Sequence, residues 1–114
     1  MSMRYISTRG AGSSPDESAK TFCDILLEGL APDGGLFLPA SYPVLSTDEL
    51  ATLRTLNYAG LAFAIIRRYA DDIPPADLKF IIDKTYTSQV FGSEEITPLR
   101  TLGPGLHLLK LSNG

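Results

Sequence analysis

Few side chains in this 114-residue chain are of the types that do covalent chemistry, and they lie far apart in the sequence. The single histidine, His107, lies among leucines in a predicted strand, and the single cysteine, Cys23, shares a predicted helical face with apolar residues. A nucleophile needs a general base within hydrogen-bond reach, so we interpret His107 as structural and Cys23 as a buried, inert thiol. The acids Asp71-Asp72 and Glu94-Glu95 lie in predicted loops, where such pairs favour turns and contact with water. Residue types and spacing therefore predict no catalytic residues and, with one His and one Cys, no metal site.

The lysines are also poor candidates for covalent chemistry. A lysine that forms an imine needs a lowered pKa, which requires burial or a cationic neighbour. Three lysines lie on the polar faces of predicted helices, and only Lys110 comes close to an apolar strand. The three are Lys20, Lys79 and Lys84. Even Lys110 is a weak candidate on this evidence.

Arg9 is a candidate for binding a phosphate or a carboxylate, although a surface salt bridge is the commoner role of such a residue. It stands beside Thr8 and ahead of a loop rich in glycine and serine, residues 10–13. The planar guanidinium group can grip a phosphate or a carboxylate with two parallel N–H groups.

The segment from Gly29 to Pro39 has the most strongly specified local shape in the chain. Gly29 ends a helical pattern, residues 32–35 form a tight reversal, and Leu36–Leu38 is a short apolar run that Pro39 stops. We predict a positive φ angle at Gly34 or Gly35. The segment is either a plain connector or a ligand loop, and it has neither GxGxxG nor P-loop spacing.

Composition limits the classes of function that this chain can have. It is 44% apolar with a net charge of -3, which is typical of one globular domain and leaves no basic stripe for nucleic acid. Its longest purely apolar run, Leu61–Ile66, is too short to span a bilayer. The N-terminus lacks the apolar block of a signal peptide, so we predict a cytoplasmic location without nucleic-acid or membrane partners.

Helix-start signals predict about four helices. Ser14–Glu17 and Ser46–Glu49 each have the pattern of a capping box, and the first helix is expected to continue to Gly29. Asn57 is a predicted cap for a third helix, which we expect at the centre of the core. A fourth helix follows Pro74-Pro75.

Strand signals lie near both ends of the chain. We predict a short strand near Tyr5, and two strands, Thr97–Leu102 and Leu106–Leu111, joined by a tight turn. The second of these is almost entirely apolar, which suits a strand covered on both faces, so we expect the sequence to be the first part of something longer. Together the patterns predict an α+β fold with about four helices packed on a small β-sheet.

Five segments occur in the order and at the spacing found in the N-terminal domain of threonine synthase. They are residues 5–10, 29–39, 61–65, 73–79 and 97–99. The chain therefore resembles that domain, in its bacterial and fungal form, along essentially its whole length. The resemblance implies that residues 1–114 are an N-terminal fragment and that the cofactor-binding domains lie beyond residue 114.

This family implies an enzyme with pyridoxal 5'-phosphate (PLP), a carbon–oxygen lyase that converts O-phospho-L-homoserine and water to L-threonine and phosphate. Its Schiff-base lysine lies in a Gly-Pro-Thr…Phe-Lys-Asp motif, and Asn113-Gly114 matches only the approach to it. Lys110 falls where the family often has glutamate, and Ser112-Asn113 replaces a frequent Phe-His. The resemblance thus implies no catalytic or cofactor-binding residue within residues 1–114 and no cofactor bound by this piece alone.

The resemblance also suggests which residues face the rest of the enzyme. We expect the domain to dock on the PLP-binding domains of the same polypeptide, with an exposed apolar patch near Leu36–Leu38 and Leu106–Leu111. Candidate cleft-facing or interdomain residues are Thr8, Arg9, Asp33, Gly34 and Gly35. Two alternatives stay open: a threonine-synthase-like phospholyase, and a non-catalytic interaction domain that reuses the fold.

Overall fold

The computed structural model describes residues 3–14 and 20–111, which form four strands and five helices. In chain order the elements are β1 (Tyr5–Ser7), α1 (Phe22–Glu28), β2 (Phe37–Pro39), α2 (Thr47–Leu53), α3 (Tyr58–Tyr69), α4 (Pro75–Thr85), α5 (Ser88–Phe91), β3 (Leu99–Gly103) and β4 (Leu106–Leu109). The predicted α+β class is confirmed.

The described strands pair into two separate antiparallel sheets of two strands each, where the sequence suggested one small sheet. In the first sheet β1 pairs with β2, and Ile6 lies opposite Leu38. In the second sheet β3 pairs with β4, and the register shifts between Thr101 and Gly103. Strand periodicity predicts strands but not which of them share a ladder, because pairing depends on contacts far apart in sequence.

Two predicted helix caps are confirmed. The Ser46 hydroxyl accepts the Glu49 N–H at 3.1 Å and caps α2, while the Asn57 side chain accepts the Gly60 N–H at 2.8 Å and caps α3. Each cap bonds to a residue only three positions away, so sequence alone is sufficient to find it.

The start of the first helix differs from the prediction. Pro15 to Glu17 lie outside the described residues, as do Ser112 to Gly114. Thr21 caps α1, because its hydroxyl accepts the Asp24 N–H and the Asp24 carboxylate accepts the Thr21 N–H. The prediction of one helix from Ser14 to Gly29 is wrong, since Lys20 pairs with Tyr5 as an isolated β-bridge. Lys20 is therefore not on a helix face.

The short helix α5 is an addition to the four helices that the sequence predicted. The Thr87 hydroxyl accepts the Val90 N–H at 3.2 Å, and Gly92 ends the helix in the left-handed conformation with φ of 71°. The Phe91 ring stacks on Tyr86, with 5.6 Å between the ring centroids. Four residues are too few to show helical periodicity, so no sequence pattern marks this element.

The buried residues belong to β1, to α4 and to loop positions between the elements. Tyr5 of β1 is buried and donates its hydroxyl hydrogen to the Tyr69 carbonyl at 2.6 Å. Helix α3 packs against α4, but its residues are mostly half-buried, so it is not the fully buried centre that its apolar pattern predicted. Within residues 3–14 and 20–111, the buried residues are Tyr5, Ser7, Ala31, Gly35, Ala70, Leu78, Ile82 and Ile96.

The second sheet is exposed on both faces. Residues at alternate positions of a strand face opposite sides, yet Leu106, Leu108 and Leu109 of β4 are each at least half exposed. Leu36 and Leu38, beside and within β2, are exposed as well. The predicted exposure of apolar side chains at these two places is confirmed.

Candidate functional site

The loop after β1 and the turn before β2 lie side by side. The Thr8 N–H donates to the Leu36 carbonyl at 2.8 Å, and the Leu36 N–H donates to the Thr8 hydroxyl at 3.0 Å. These two bonds extend the β1–β2 pairing by one residue beyond each strand. Thr8 and Arg9 therefore lie beside the turn of residues 33–35.

The Asp33 carboxylate joins the two segments. One oxygen accepts the Ser7 hydroxyl at 2.6 Å and the Gly35 N–H at 3.0 Å, and the other accepts the Ala11 N–H at 3.1 Å. The bond from Ser7, helped by those from the two backbone amides, lowers the pKa of Asp33 below its usual value. Asp33 is thus an ionised side chain whose oxygens are held by donors from both segments.

The two glycines of the turn are required for different reasons. Gly34 has a φ angle of 83°, which confirms the predicted positive φ. Gly35 is buried, and a Cβ atom there would overlap the Ser7 hydroxyl and lie 2.8 Å from the Thr8 hydroxyl. Glycine is therefore required at position 34 because of the positive φ angle. It is required at position 35 because the two segments pass too close to each other for a Cβ atom.

Arg9 is held at its backbone and carries an exposed side chain. Its N–H donates to the Ser7 hydroxyl at 3.1 Å, and one terminal nitrogen, Nη1, donates to the Asp33 carbonyl at 3.2 Å. Among residues 3–14 and 20–111, no carboxylate forms an ion pair with its guanidinium group. The salt bridge that is the usual alternative for such a residue is not formed within this part of the chain.

The structure thus brings together all five sequence-predicted candidates: Thr8, Arg9, Asp33, Gly34 and Gly35. Sequence reasoning did not single out Ser7, which is buried and contacts both Asp33 and Arg9. The available signal was its position two residues after Tyr5, which places both side chains on one face of β1.

Within residues 3–14 and 20–111, His107 and Cys23 contact residues outside the region around Thr8 and Asp33. His107 is exposed, and its Nδ1 lies 3.1 Å from the Thr101 hydroxyl. Cys23 is half-buried, less than expected, and a hydrogen bond to Asp72 raises the pKa of its thiol. A raised thiol pKa disfavours the thiolate, which agrees with the prediction of an inert cysteine.

The acidic pair in the α3–α4 loop does more than contact water. Asp71 accepts the Met3 N–H at 2.6 Å, and Asp72 accepts the Cys23 N–H at 3.0 Å. The pair lies in an exposed turn, as predicted, and it also contacts two distant segments of the chain. Both contacts join residues about fifty or more positions apart, which is why local sequence reasoning missed them.

Two other classes of site find no support in the described residues. No group of three or more His, Cys, Asp or Glu side chains within residues 3–14 and 20–111 could hold a metal ion. In the same part of the chain, no helix has the length and apolar content needed to cross a membrane.

Comparison with known proteins assigns the family. The family model of the threonine synthase N terminus matches residues 4–86. This chain belongs to the threonine synthase N-terminus family. Threonine synthase of Methylobacillus glycogenes is 51% identical over 119 aligned positions, which cover 98% of this chain and 24% of that protein. The Saccharomyces cerevisiae threonine synthase is 41% identical, over 96% of this chain and 22% of that protein.

A solved structure agrees with this family. The crystal structure of PLP-bound threonine synthase from Brucella melitensis has a TM-score of 0.79 and 33% identity, over 99% of this chain and 23% of that one. The chain thus spans about a quarter of the length of the threonine synthases that it matches.

The surroundings of Lys20, Lys79 and Lys84 do not favour formation of an imine with PLP. Lys20 forms an ion pair with Glu28 at 2.8 Å, and this bond raises the lysine pKa, the opposite of what imine formation needs. Lys110 follows β4 and gives its backbone N–H to the Pro98 carbonyl. The two remaining lysines lie exposed on α4: Lys79 and Lys84. No step of PLP chemistry is therefore assigned to these residues.

Proposed function

We propose that this chain is the N-terminal domain, residues 1–114, of a PLP-dependent threonine synthase. The full-length enzyme would convert O-phospho-L-homoserine and water to L-threonine and phosphate. The observation that carries this proposal is the match of nearly the whole chain to about a quarter of several threonine synthases, one of them solved with PLP bound. PLP stabilises carbanions on amino-acid substrates, and in this proposal its binding residues belong to other domains of the same polypeptide.

Within that enzyme the domain would dock on the PLP-binding domains. The support is the exposed apolar surface on both faces of the second sheet and beside β2, since patches of this kind mark interaction surfaces. The loop pair of Thr8, Arg9, Asp33, Gly34 and Gly35 would then border the cleft or the domain interface. We further propose a cytoplasmic location for the enzyme, as composition suggested.

The test compares the full-length protein with the 114-residue chain. We expect phosphate release from O-phospho-L-homoserine by the full-length protein and none by the 114-residue chain. Incubation with PLP and borohydride, followed by peptide mapping, should label one lysine of the full-length protein outside residues 1–114. Stoichiometric labelling of Lys110, or phosphate release by the short chain, would overturn the placement of the chemistry.

A second candidate activity is phosphate elimination by a threonine-synthase-like phospholyase. Threonine synthase-like 2 of Xenopus laevis also matches 98% of this chain, although its 33% identity is lower than the 51% of the Methylobacillus threonine synthase. Product analysis separates the two, because only threonine synthase gives L-threonine. A full-length protein without either activity would favour the interaction domain instead.

A further inference from the structure

We propose that Arg9 binds the phosphate group of the substrate and of the released product. The hydrogen bonds around Asp33 and Ser7 hold the Arg9 backbone and side chain in position for this binding. The inference rests on the proposed function for the identity of the substrate. Its ligand class is a phosphomonoester or inorganic phosphate.

The first support is the backbone around Arg9, which is fixed on both sides. The N–H groups of Thr8, Arg9 and Gly10 donate to Leu36 O, Ser7 Oγ and Ser7 O, at 2.8, 3.1 and 3.0 Å. Three consecutive amides are thus bonded in a segment that is neither helix nor strand. A side chain that starts from a fixed backbone loses less conformational entropy on binding a ligand.

The second support is the guanidinium group itself. Its hydrogen bond within the described residues runs from Nη1 to the Asp33 carbonyl, which leaves the edge formed by Nε and Nη2 for a bidentate ligand. Gly34 leaves room for this arrangement, because a Cβ atom there would lie 2.7 Å from Nη1. The Asp33 carbonyl therefore binds the guanidinium group at Nη1, and the edge formed by Nε and Nη2 stays open.

The third support is the local charge. Asp33 lies close by, but its carboxylate oxygens accept hydrogen bonds from Ser7, Ala11 and Gly35 and do not pair with Arg9. The Thr8 hydroxyl accepts the Leu36 N–H, so its own hydrogen stays available for an acceptor. Arg9 and Thr8 together thus offer a cation and a hydroxyl donor on one exposed edge.

The experiment uses the full-length protein with Arg9→Gln, Arg9→Lys and the control Arg54→Gln. Arg54 is also an exposed arginine, at the C-terminus of α2. Two quantities are measured: the Kd of inorganic phosphate by calorimetry, and KM and kcat for O-phospho-L-homoserine. We expect Arg9→Gln to raise Kd and KM about 10- to 100-fold, because a charged hydrogen-bond partner of phosphate is lost. Arg9→Lys should fall between Arg9→Gln and the wild type, and Arg54→Gln should change neither quantity.

The Kd of inorganic phosphate tests the role of Arg9 separately from the enzymatic activity of the protein. If the wild-type protein does not act on O-phospho-L-homoserine, the proposed function fails, yet the phosphate Kd still tests Arg9. A Kd for Arg9→Gln within twofold of the wild type would overturn the role of Arg9 even in an active enzyme. If Arg9→Gln does not fold, Arg9→Lys provides the comparison, because it keeps the charge and loses the bidentate edge. For that variant, an unchanged Kd would overturn bidentate binding.

Discussion

At the residue scale, the turn Asp33-Gly34-Gly35 shows what sequence can and cannot specify. Residue types predict a reversal with a positive φ, and Gly34 has one. They do not reveal that Gly35 is the more constrained glycine, because its constraint comes from Ser7 and Thr8, more than 25 positions earlier. The contact of Gly35 with Ser7 and Thr8 depends on how the chain folds back on itself, so no local sequence pattern predicts it.

Alanine at these two glycines should therefore give different losses of stability. Gly34→Ala should cost on the order of 1 kcal/mol, since the Cβ meets only the flexible end of Arg9 besides adopting a strained φ. Gly35→Ala should cost about 2–3 kcal/mol, because the Cβ also lies 3.1 Å from the backbone nitrogen of Arg9, which cannot move freely. Urea unfolding of the 114-residue chain measures both.

Gly92→Ala is the matched control for the glycine pair, because Gly92 has a φ of 71° and a Cβ atom added there would have no neighbouring atom within 4 Å. Its loss should equal the conformational cost alone, about 1 kcal/mol. If Gly35→Ala costs no more than Gly92→Ala, the close approach at Gly35 does not constrain the fold.

At the element scale, helix ends divide into local and long-range cases. Ser46 and Asn57 cap their helices through bonds three residues away, and sequence predicts both. Helix α1 begins at Phe22 because Lys20 is bridged to Tyr5 and because Asp72 of the α3–α4 loop accepts the Cys23 N–H. The sequence analysis predicted the start at Ser14, whereas Thr21 caps α1 and contacts from distant segments hold the residues next to it.

The contact of Asp72 with α1 should make stability depend on pH. Burial raises the pKa of Asp72, but bonds from the Cys23 N–H and the Thr21 hydroxyl outweigh it, and the folded pKa lies below the usual value. The contribution is therefore complete above the unfolded pKa of about 3.9 and is lost as pH falls through the lower folded pKa. Asp72→Asn should cost less than about 1 kcal/mol at pH 7, because Asp72 is exposed and water weakens its contacts, and this difference from the wild type should shrink below pH 4.

Unfolding free energies of both chains from pH 7 to pH 2 test this. Glu94→Gln is the control, because it removes an exposed carboxylate from a loop and should leave stability within about 0.5 kcal/mol. A difference between Asp72→Asn and the wild type that stays constant across this range would contradict a charge-based contact.

At the scale of the whole molecule, the fold class and the family could be predicted from the sequence, because motif order extends along the whole chain. The five residues of the candidate site could also be named from the sequence, and the structure places them together. The separation into two sheets and the contacts of buried Ser7 with Asp33 and Arg9 could not be predicted, since both depend on which distant segments pair. The functional role of the five candidate residues in the full-length enzyme stays a prediction.

The exposed leucines of β4 give a prediction about the whole molecule. Leu106 and Leu108 are 59% and 50% exposed in this chain, so replacing both by serine should lower its stability by about 2 kcal/mol, about 1 kcal/mol for the buried part of each side chain. In the full-length protein, where docking would bury the remaining apolar surface, the same double variant should cost about 1 kcal/mol more for each leucine. Thermal unfolding of both proteins measures the difference, and Val44→Ser, at an 86% exposed loop position, is the control. Equal costs in the short and full-length chains would show that this sheet does not form the interdomain surface.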